Sequence, residues 1–272
     1  MLVLLPWTLF RYWADLCRLQ RRDWLLTLTA GIFLAAHFGT WISSLAFTNV
    51  TSSVVLVQTS PLFVMLLSPL VLGEKPTRRA LIGLLLALLG SLAIATSDSC
   101  SLPLQLRCLQ MLSINDSALK GDFLALLGAI TGALYMMLGR SARKTIALIP
   151  YITVVYGVSS IVLLVAAIIS RLPLTGFSPN VYLWFILLAL FPQLLAHSSY
   201  NWALKYLPAT TVSLSLLGEP VSAAILAYVL LQEGLPPLRW IGAIVVVAGI
   251  SLALLGPGQA LQPEPEVDTI GE

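Results

Sequence analysis

Hydrophobic residues crowd into eight long stretches, at about 24–46, 50–72, 78–97, 120–139, 150–170, 181–204, 209–231 and 237–256, with the polar residues gathered between them. A stretch of roughly 20 apolar residues is enough to cross the hydrocarbon core as a helix. Each stretch must be helical, because lipid offers no partner to an unpaired backbone amide or carbonyl. The alternating ten-residue pattern of barrel strands is absent. The predicted fold is therefore all-α, a polytopic helical membrane protein. Residues 1–10 are also apolar but too short to span. No charged segment precedes them and no clear small-residue cleavage site follows, so they do not read as a signal peptide.

Composition agrees with membrane burial. Of 272 residues, 58% are hydrophobic and only 10% charged, with a mean hydropathy of +0.92. A soluble domain of this size needs more charge to cover its surface. The net charge of +3 is small, and no basic patch suggests nucleic acid. Its distribution is more telling. If the chain alternates sides at each span, one side holds Arg11, Arg18, Arg21, Arg22, Lys75, Arg78, Arg79, Arg140, Arg143, Lys144 and Lys205. The other holds Arg107, Lys120, Arg171 and Arg239. The richer side is expected to be cytoplasmic. This places the acidic, proline-rich C-terminal tail in the cytoplasm, in the plasma (inner) membrane orientation, and its composition predicts disorder. Cys17, Cys100 and Cys108 are too few and scattered for a disulfide scaffold or zinc site. Cys100 and Cys108 share a loop and could pair. Asn115-Asp116-Ser117 is a formal glycosylation sequon on the outer side, close to the next span.

Two stretches match at an offset of 159 residues. Ser44-Leu45-Ala46-Phe47 falls on Ala203-Leu204-Lys205-Tyr206, and Thr51-Ser52 on Thr210-Thr211. Pro61 falls on Pro220, Glu74 on Glu233, Gly83 on Gly242 and Gly90 on Gly249. Ala36-His37 resembles Ala196-His197 if one residue is skipped. A proline, a glutamate and two glycines in constant register are hard to attribute to chance. Span 24–46 starts inside and its partner 181–204 starts outside, so the halves are expected to be inverted. Inverted repeats let one bundle rock against the other about a midplane site, the geometry of alternating access.

The pattern Ala46-Phe47, Thr51-Ser52-Ser53, Pro61 and Leu72-Gly73-Glu74 resembles the EamA-type permeases of the drug/metabolite transporter superfamily. The second copy fits better, with Leu204-Lys205-Tyr206-Leu207, Gly218-Glu219-Pro220, Glu233 and the Gly242–Gly249 segment. The resemblance covers nearly the whole chain after residue 20. It implies ten helices as five plus five, cytoplasmic termini and a central cavity. It also implies transport of amino acids, other metabolites or drugs, often coupled to protons. The second half has five spans and the first only three, plus a stub at residues 1–13 that looks like the end of the family's second helix. The organisation read from the chain is a first repeat over 1–97, N-terminally incomplete, an extracytoplasmic connecting loop over 98–119, a second repeat over 120–256 and a tail over 257–272.

Candidate chemistry is sparse. Glu219 is the formally charged residue nearest the middle of a span, where a carboxylate is costly unless paired, protonated or wetted. Thr211 and Ser215 precede it on the same helical face. It could carry a proton during transport, or it could bond structurally to a neighbouring helix. Pro61 and Pro220 each remove an amide donor and free the carbonyl four residues earlier, at Val57 and Leu216. Both could mark helix breaks with a gating role, or packing kinks. Gln58, Thr59 and Ser60 are the polar neighbours in the first repeat. His37, with Trp41 one turn later and Ser44 near the same face, could form one cavity wall. His197, Tyr200 and Asn201 could form another, with Tyr135 reaching in from span 120–139. The alternative for each histidine is an interhelical hydrogen bond.

Glu74 and Glu233, at their span ends, suggest packing or capping. The Gly83/Ala87/Gly90 row and Gly242/Gly249 suggest close helix contact. Two histidines without cysteine or carboxylate partners make a poor metal site, and no cofactor is expected. An intramembrane enzyme finds no nucleophile–base or metal spacing here. No Gly-rich loop ending in Lys-Ser/Thr is present to take ATP. The expected function is a secondary transporter, an exporter of small organic metabolites, with protons as the candidate coupling ion. The expected partners are the bilayer and a small-molecule substrate, and the expected state is monomer or homodimer. The alternative is a membrane fragment or interaction protein that does not transport.

Overall fold

The computed structural model describes residues 1, 4–97, 116–232 and 236–255. Every regular element among them is helical. Eight are long and apolar enough to cross a membrane: Arg21–Ser44, Val50–Val71, Arg78–Thr96, Asp116–Arg143, Leu148–Ile169, Pro179–Tyr206, Ala209–Leu230 and Pro237–Leu254. They correspond one for one to the apolar stretches. Cys100, Cys108, Arg107, Asn115, Glu233 and the tail lie outside the described residues.

Local chemistry sets the helix ends. The N-terminal stub forms two short helices, α1 (Leu4–Arg11) and α2 (Trp13–Cys17). Helix α3 (Arg21–Ser44) starts where Asp23 accepts from the Gln20 amide at 3.1 Å. Helix α4 (Val50–Val57) starts where Asn49 accepts from the Ser52 amide at 2.8 Å. After a break comes α5 (Ser60–Val71). Thr77 caps α6 (Arg78–Thr96) by accepting from Ala80 at 3.1 Å. Such caps satisfy amides that the first helical turn leaves unpaired. Helix α7 (Asp116–Arg143) has 28 residues and outruns the 120–139 expected for it. Asp116 in its first turn and Arg140 and Arg143 in its last oppose the helix dipole and support the extra turns. At 1.5 Å per residue it is about 42 Å long, more than the hydrocarbon core needs. Its arginines therefore lie towards the interface rather than at mid-depth. Helix α8 (Leu148–Ile169) follows.

The sixth span is composite. It runs as α9 (Pro179–Leu188), a π-helical segment (Ala189–His197) containing Pro192, and α10 (Ser198–Tyr206). The seventh comprises α11 (Ala209–Ser215), a 3₁₀ turn (Leu216–Gly218) and α12 (Glu219–Leu231). The last is α13 (Pro237–Leu254).

The repeat seen in the sequence is present in three dimensions. At an offset of 159, Val50–Val71 maps onto Ala209–Leu230, and the start of α6 maps onto the start of α13. Both members of the first pair are broken just before their proline, at Gln58-Thr59 and at Leu216–Gly218. Each is then followed by a left-handed residue, Gly73 at φ 69° and its counterpart Gln232 at φ 56°. Glycine takes this conformation freely and glutamine does so at a cost. Its recurrence therefore reflects the shared turn.

Helices α6 and α13 form the most extensive contact in the molecule. A Cβ on Gly249 would lie 2.6 Å from the carbonyl oxygen of Gly83, and one on Gly83 would collide with the Gly249 oxygen. A Cβ on Gly90 would lie 2.7 Å from the Gly242 oxygen, and one on Gly242 would lie 2.7 Å from the Gly90 oxygen. Gly83 is the repeat partner of Gly242, and Gly90 of Gly249. The first contact therefore maps onto the second, as a two-fold relation between the halves requires.

Helix α7 is the hub, with 56% of its spanning window buried. It packs most heavily against α3 and also touches α4, α5, α10 and α11. Helix α3 packs in turn on α8. The sixth span differs, since none of its spanning window is buried. Only α10 packs appreciably on the rest of the bundle, and α9 has its main contact with the π segment it runs into. The face of α3 that α7 and α8 cover thus has a repeat-related face on Pro179–His197 without a substantial partner among the described residues.

The glycine contact gives a direct test of the two-fold seam. Gly83→Ala and Gly249→Ala place a methyl against backbone, which cannot move aside as a flexible side chain can. Each substitution should lower stability by about 1–3 kcal/mol, read as a lower midpoint of thermal unfolding in detergent. Gly73→Ala, outside the seam, should leave the α6–α13 contact intact.

Candidate functional site

At the centre of the bundle, α3, α7 and the π–α10 junction bring together most of the polar side chains expected to line a cavity. His37 projects from α3 onto α7, where its Nδ1 lies 2.8 Å from the Gly128 carbonyl oxygen. A carbonyl only accepts, so Nδ1 carries the proton and donates. The ring can approach because α7 is bare there. A Cβ on Gly132 would lie 2.8 Å from His37 Nδ1, and one on Gly128 would lie 3.2 Å from Trp41 Cβ. Small residues of this kind let helices close up in lipid.

Aromatic rings continue from His37 across to the second repeat. Phe38 lies 5.1 Å from His37 and 5.3 Å from His197, ring centre to ring centre. Trp41 lies 5.8 Å from His37, Tyr135 lies 6.3 Å from His197, and Tyr200 lies 6.0 Å from His197. These are edge or tilted contacts of the sort aromatic pairs favour. Two buried ring atoms, Trp41 Nε1 and His197 Nδ1, have no partner among the described residues. Unpaired buried polar atoms are uncommon in native proteins and call for a water, ion or ligand.

Below the rings lies a closed polar network centred on Asn201, which is fully buried. Its Nδ2 lies 2.7 Å from Tyr135 Oη, 3.1 Å from Tyr156 Oη and 2.8 Å from the His197 carbonyl oxygen, three acceptors that share its two hydrogens. Its Oδ1 lies 3.0 Å from Tyr135 Oη, which donates to it. Tyr156 also lies 3.3 Å from Ser198 Oγ. Three spans of the second repeat thus share one amide. The π segment ends at His197 and sets its position. π-Helical turns inside α-helices are frequent at functional sites.

Other expected residues lie elsewhere. Ser44 is buried against Ser53 at 2.6 Å and also donates to the Trp41 carbonyl at 2.6 Å. Gln58 and Thr59 occupy the break in the second span, where Thr59 donates to the Leu56 carbonyl at 2.6 Å. Pro61 is buried and Pro220 half-buried. Thr211, placed on the Glu219 face by spacing, is buried with no partner for its hydroxyl among the described residues. Glu219 and Ser215 are exposed and stand apart from the closed network. Glu219 opens α12. Of the three residues grouped by spacing, Thr211 is buried while Ser215 and Glu219, on either side of the 3₁₀ turn, are exposed.

Phe38, Tyr156, Ser198, Arg140 and Arg143 were not singled out by sequence. Phe38 and Tyr156 stand in apolar stretches with no motif or spacing to mark them. The arginines read as loop charges because the helix carrying them was predicted to end at residue 139.

No group of three or more His, Cys, Asp or Glu suited to a metal is present among the described residues. An apolar groove of about 420 Å³ lies between α12 and α13, lined by Val221, Ala224, Ile225, Trp240, Ala243 and Ile244. It opens on the outer surface and is remote in character from the polar network.

The sequence profile of the EamA-like transporter family matches residues 1–96 and 119–255. Two curated relatives from Bacillus subtilis (strain 168) are the uncharacterized transporters YyaM and YetK. YyaM is 24% identical over 211 residues, 77% of this chain and 66% of its own length. YetK is 28% identical over 211 residues, 77% of this chain and 61% of its own length. The chain therefore spans somewhat under two-thirds of the length of these relatives. A crystal structure described only as that of a protein shares the fold, with a TM-score of 0.74 and 17% identity. It covers 93% of this chain and 83% of its own.

The Asn201 hub predicts a stability effect. Asn201→Leu keeps the branched shape and the number of heavy atoms but leaves the Tyr135 and Tyr156 hydroxyls without their shared partner. Loss of about 2–3 kcal/mol is expected, measured by thermal unfolding in detergent. Ser199→Ala, on the exposed side of the same helix, should be close to neutral.

Proposed function

We propose that this chain, which belongs to the EamA-like transporter family, exports small organic metabolites such as amino acids or drugs by alternating access, with protons as the coupling ion. The observation that carries this reading is the two-fold relation of the halves. It pairs Gly83 with Gly249 and Gly90 with Gly242, and it sets two broken helices at matched positions. A bundle so built has two equivalent arrangements, related by exchanging the roles of its halves. The broken helices leave backbone groups near mid-depth for a passing solute, a use of irregular backbone that membranes tolerate where it lines a cavity.

Trp41, Phe38, His37, His197 and Tyr200 would supply apolar walls, and the unpaired Trp41 and His197 nitrogens would orient a polar group of the substrate. Glu219 would carry the proton. Gln58, Thr59, Tyr135, Asn201, Ser44 and Ser215 complete the proposed lining, and Pro61 and Pro220 the flexible breaks. The richly basic side is taken as cytoplasmic, which puts the C-terminus there in a plasma (inner) membrane. A monomer or homodimer would serve.

The bare face of Pro179–His197 favours a second reading, in which this chain carries no flux by itself. The two are separated by reconstitution. The transport reading expects solute flux in proteoliposomes driven by a pH gradient, from a panel of amino acids and amphipathic drugs. Glu219→Gln should insert normally and lose at least tenfold of the gradient-driven flux. Proton-driven flux equal to wild type in that variant would remove Glu219 from coupling. Absence of flux for every solute with folded wild-type protein would favour the second reading.

A further inference from the structure

At the end of the bundle that carries Lys75, Arg78, Lys144 and Lys205, four separate elements meet at one ion pair. Helix α5 ends at Ser68–Leu72, and Gly73, at φ 69°, turns the chain back towards the bundle. The Glu74 amide and carbonyl are then held by Ser68, at 3.3 Å each. This aims the Glu74 carboxylate inward. Its Oε1 accepts from Arg140 Nε at 2.8 Å, and its Oε2 accepts from the Ala209 amide at 3.0 Å. Arg140 Nη1 donates to the Leu204 and Lys205 carbonyls at 2.8 and 2.9 Å. One turn further, Arg143 Nε donates to the Asn201 carbonyl at 2.9 Å, and its Nη1 donates to Ile146.

The charges are placed where the helices need them. Ala209 is the first residue of α11, and its amide is one of those a helix leaves unpaired. Glu74 satisfies it and opposes the positive end of that helix dipole. Leu204 and Lys205 lie in the last turn of α10, whose free carbonyls face Arg140. The pair is shielded, with the Arg140 side chain 6% exposed and that of Glu74 17%. A shielded pair differs from a surface salt bridge. Breaking it by removing one partner leaves an uncompensated charge, while replacing both partners need not be costly.

The sixth span is held almost wholly from this end. Helix α9 and the π segment have little packing of their own on the rest of the bundle. Helix α10 is fixed by Arg140, Arg143 and the Asn201 network. A lever anchored at one end moves when that anchor is released, and Asn201 would move with it.

We infer that Glu74, Arg140 and Arg143 form a latch that closes the basic end of the bundle, and that its release lets the α10–α11 hairpin swing from α7 to open the central site to that side. The role in a transport cycle rests on the alternating-access reading above. The latch residues are positioning residues that touch no solute. They act through the carbonyls of α10, the amide of Ala209 and, by way of Asn201, the network it makes with Tyr135 and Tyr156.

The test is amide hydrogen–deuterium exchange on the full chain in lipid nanodiscs. Glu74→Gln is compared with wild type, and Glu74→Gln/Arg140→Met serves where the single variant does not fold. Residues 204–212 should exchange at least tenfold faster, while 83–94, in the α6–α13 seam, stay within twofold. Unchanged exchange at 204–212, or an equal rise at both segments, overturns the latch. In a second measurement, Glu74→Cys/Arg140→Cys is joined by a short, reducible bis-thiol reagent, with the native cysteines replaced by serine. Cross-linking should abolish flux and reduction restore it, and flux that persists through the cross-link also overturns the proposal. If wild-type protein transports nothing, the transport reading fails, whereas the exchange experiment still decides whether the end opens.

Discussion

A bilayer gives a backbone nothing to bond to, and this constraint organises the whole molecule. Each amide and carbonyl within the spans must find a partner inside the protein. Eight helices meet that demand internally along most of their length. Where a helix is interrupted, the freed groups and polar side chains must be served from elsewhere. The polar contacts of this chain accordingly concentrate at helix ends and breaks. Asn201 sits just after the π segment, Thr59 in the break of the second span, and Glu74 and Arg140 at the junctions of four elements.

With little hydrophobic drive between helices in lipid, close packing must hold the bundle. Glycine serves that purpose twice here. Along α6 and α13 it lets backbones touch at the seam between the halves. Along α7 it makes room for His37 and Trp41, so the helix that forms the hub also seats the aromatic cluster. The same small-residue surface therefore links architecture to site. Removing side chains from one helix admits aromatic rings from another.

The molecule is uneven in how firmly its spans are held. Helix α7 is more than half buried, whereas the sixth span has no buried residue in its spanning window. Its foothold is a shielded ion pair, two arginine–carbonyl clamps and one asparagine. These polar contacts are directional, so they hold one arrangement well and give way as a unit. Apolar packing between α3 and α7 has no such all-or-none character. This contrast makes the hairpin α10–α11 the natural moving part and the α3–α7 pair the natural frame.

The number of spans, their limits to within a few residues, the inverted repeat and the positions of the two breaks were legible in the sequence. They depend on properties carried by one segment at a time: apolar length against a fixed hydrocarbon thickness, a proline without an amide, a motif recurring at a constant offset. The limits failed where local charge extended a helix, as at Arg140 and Arg143 in α7. Partnership was decided only in the tertiary structure. Glu74 finds Arg140 across 66 residues, and Asn201 gathers Tyr135 and Tyr156 from two other spans. Glu219, prominent in the sequence as a charge at mid-span, is exposed and lies outside the Asn201 network. A sequence shows which residues share a helix face. Which neighbour that face meets depends on how all the helices pack at once, and no single segment contains that information.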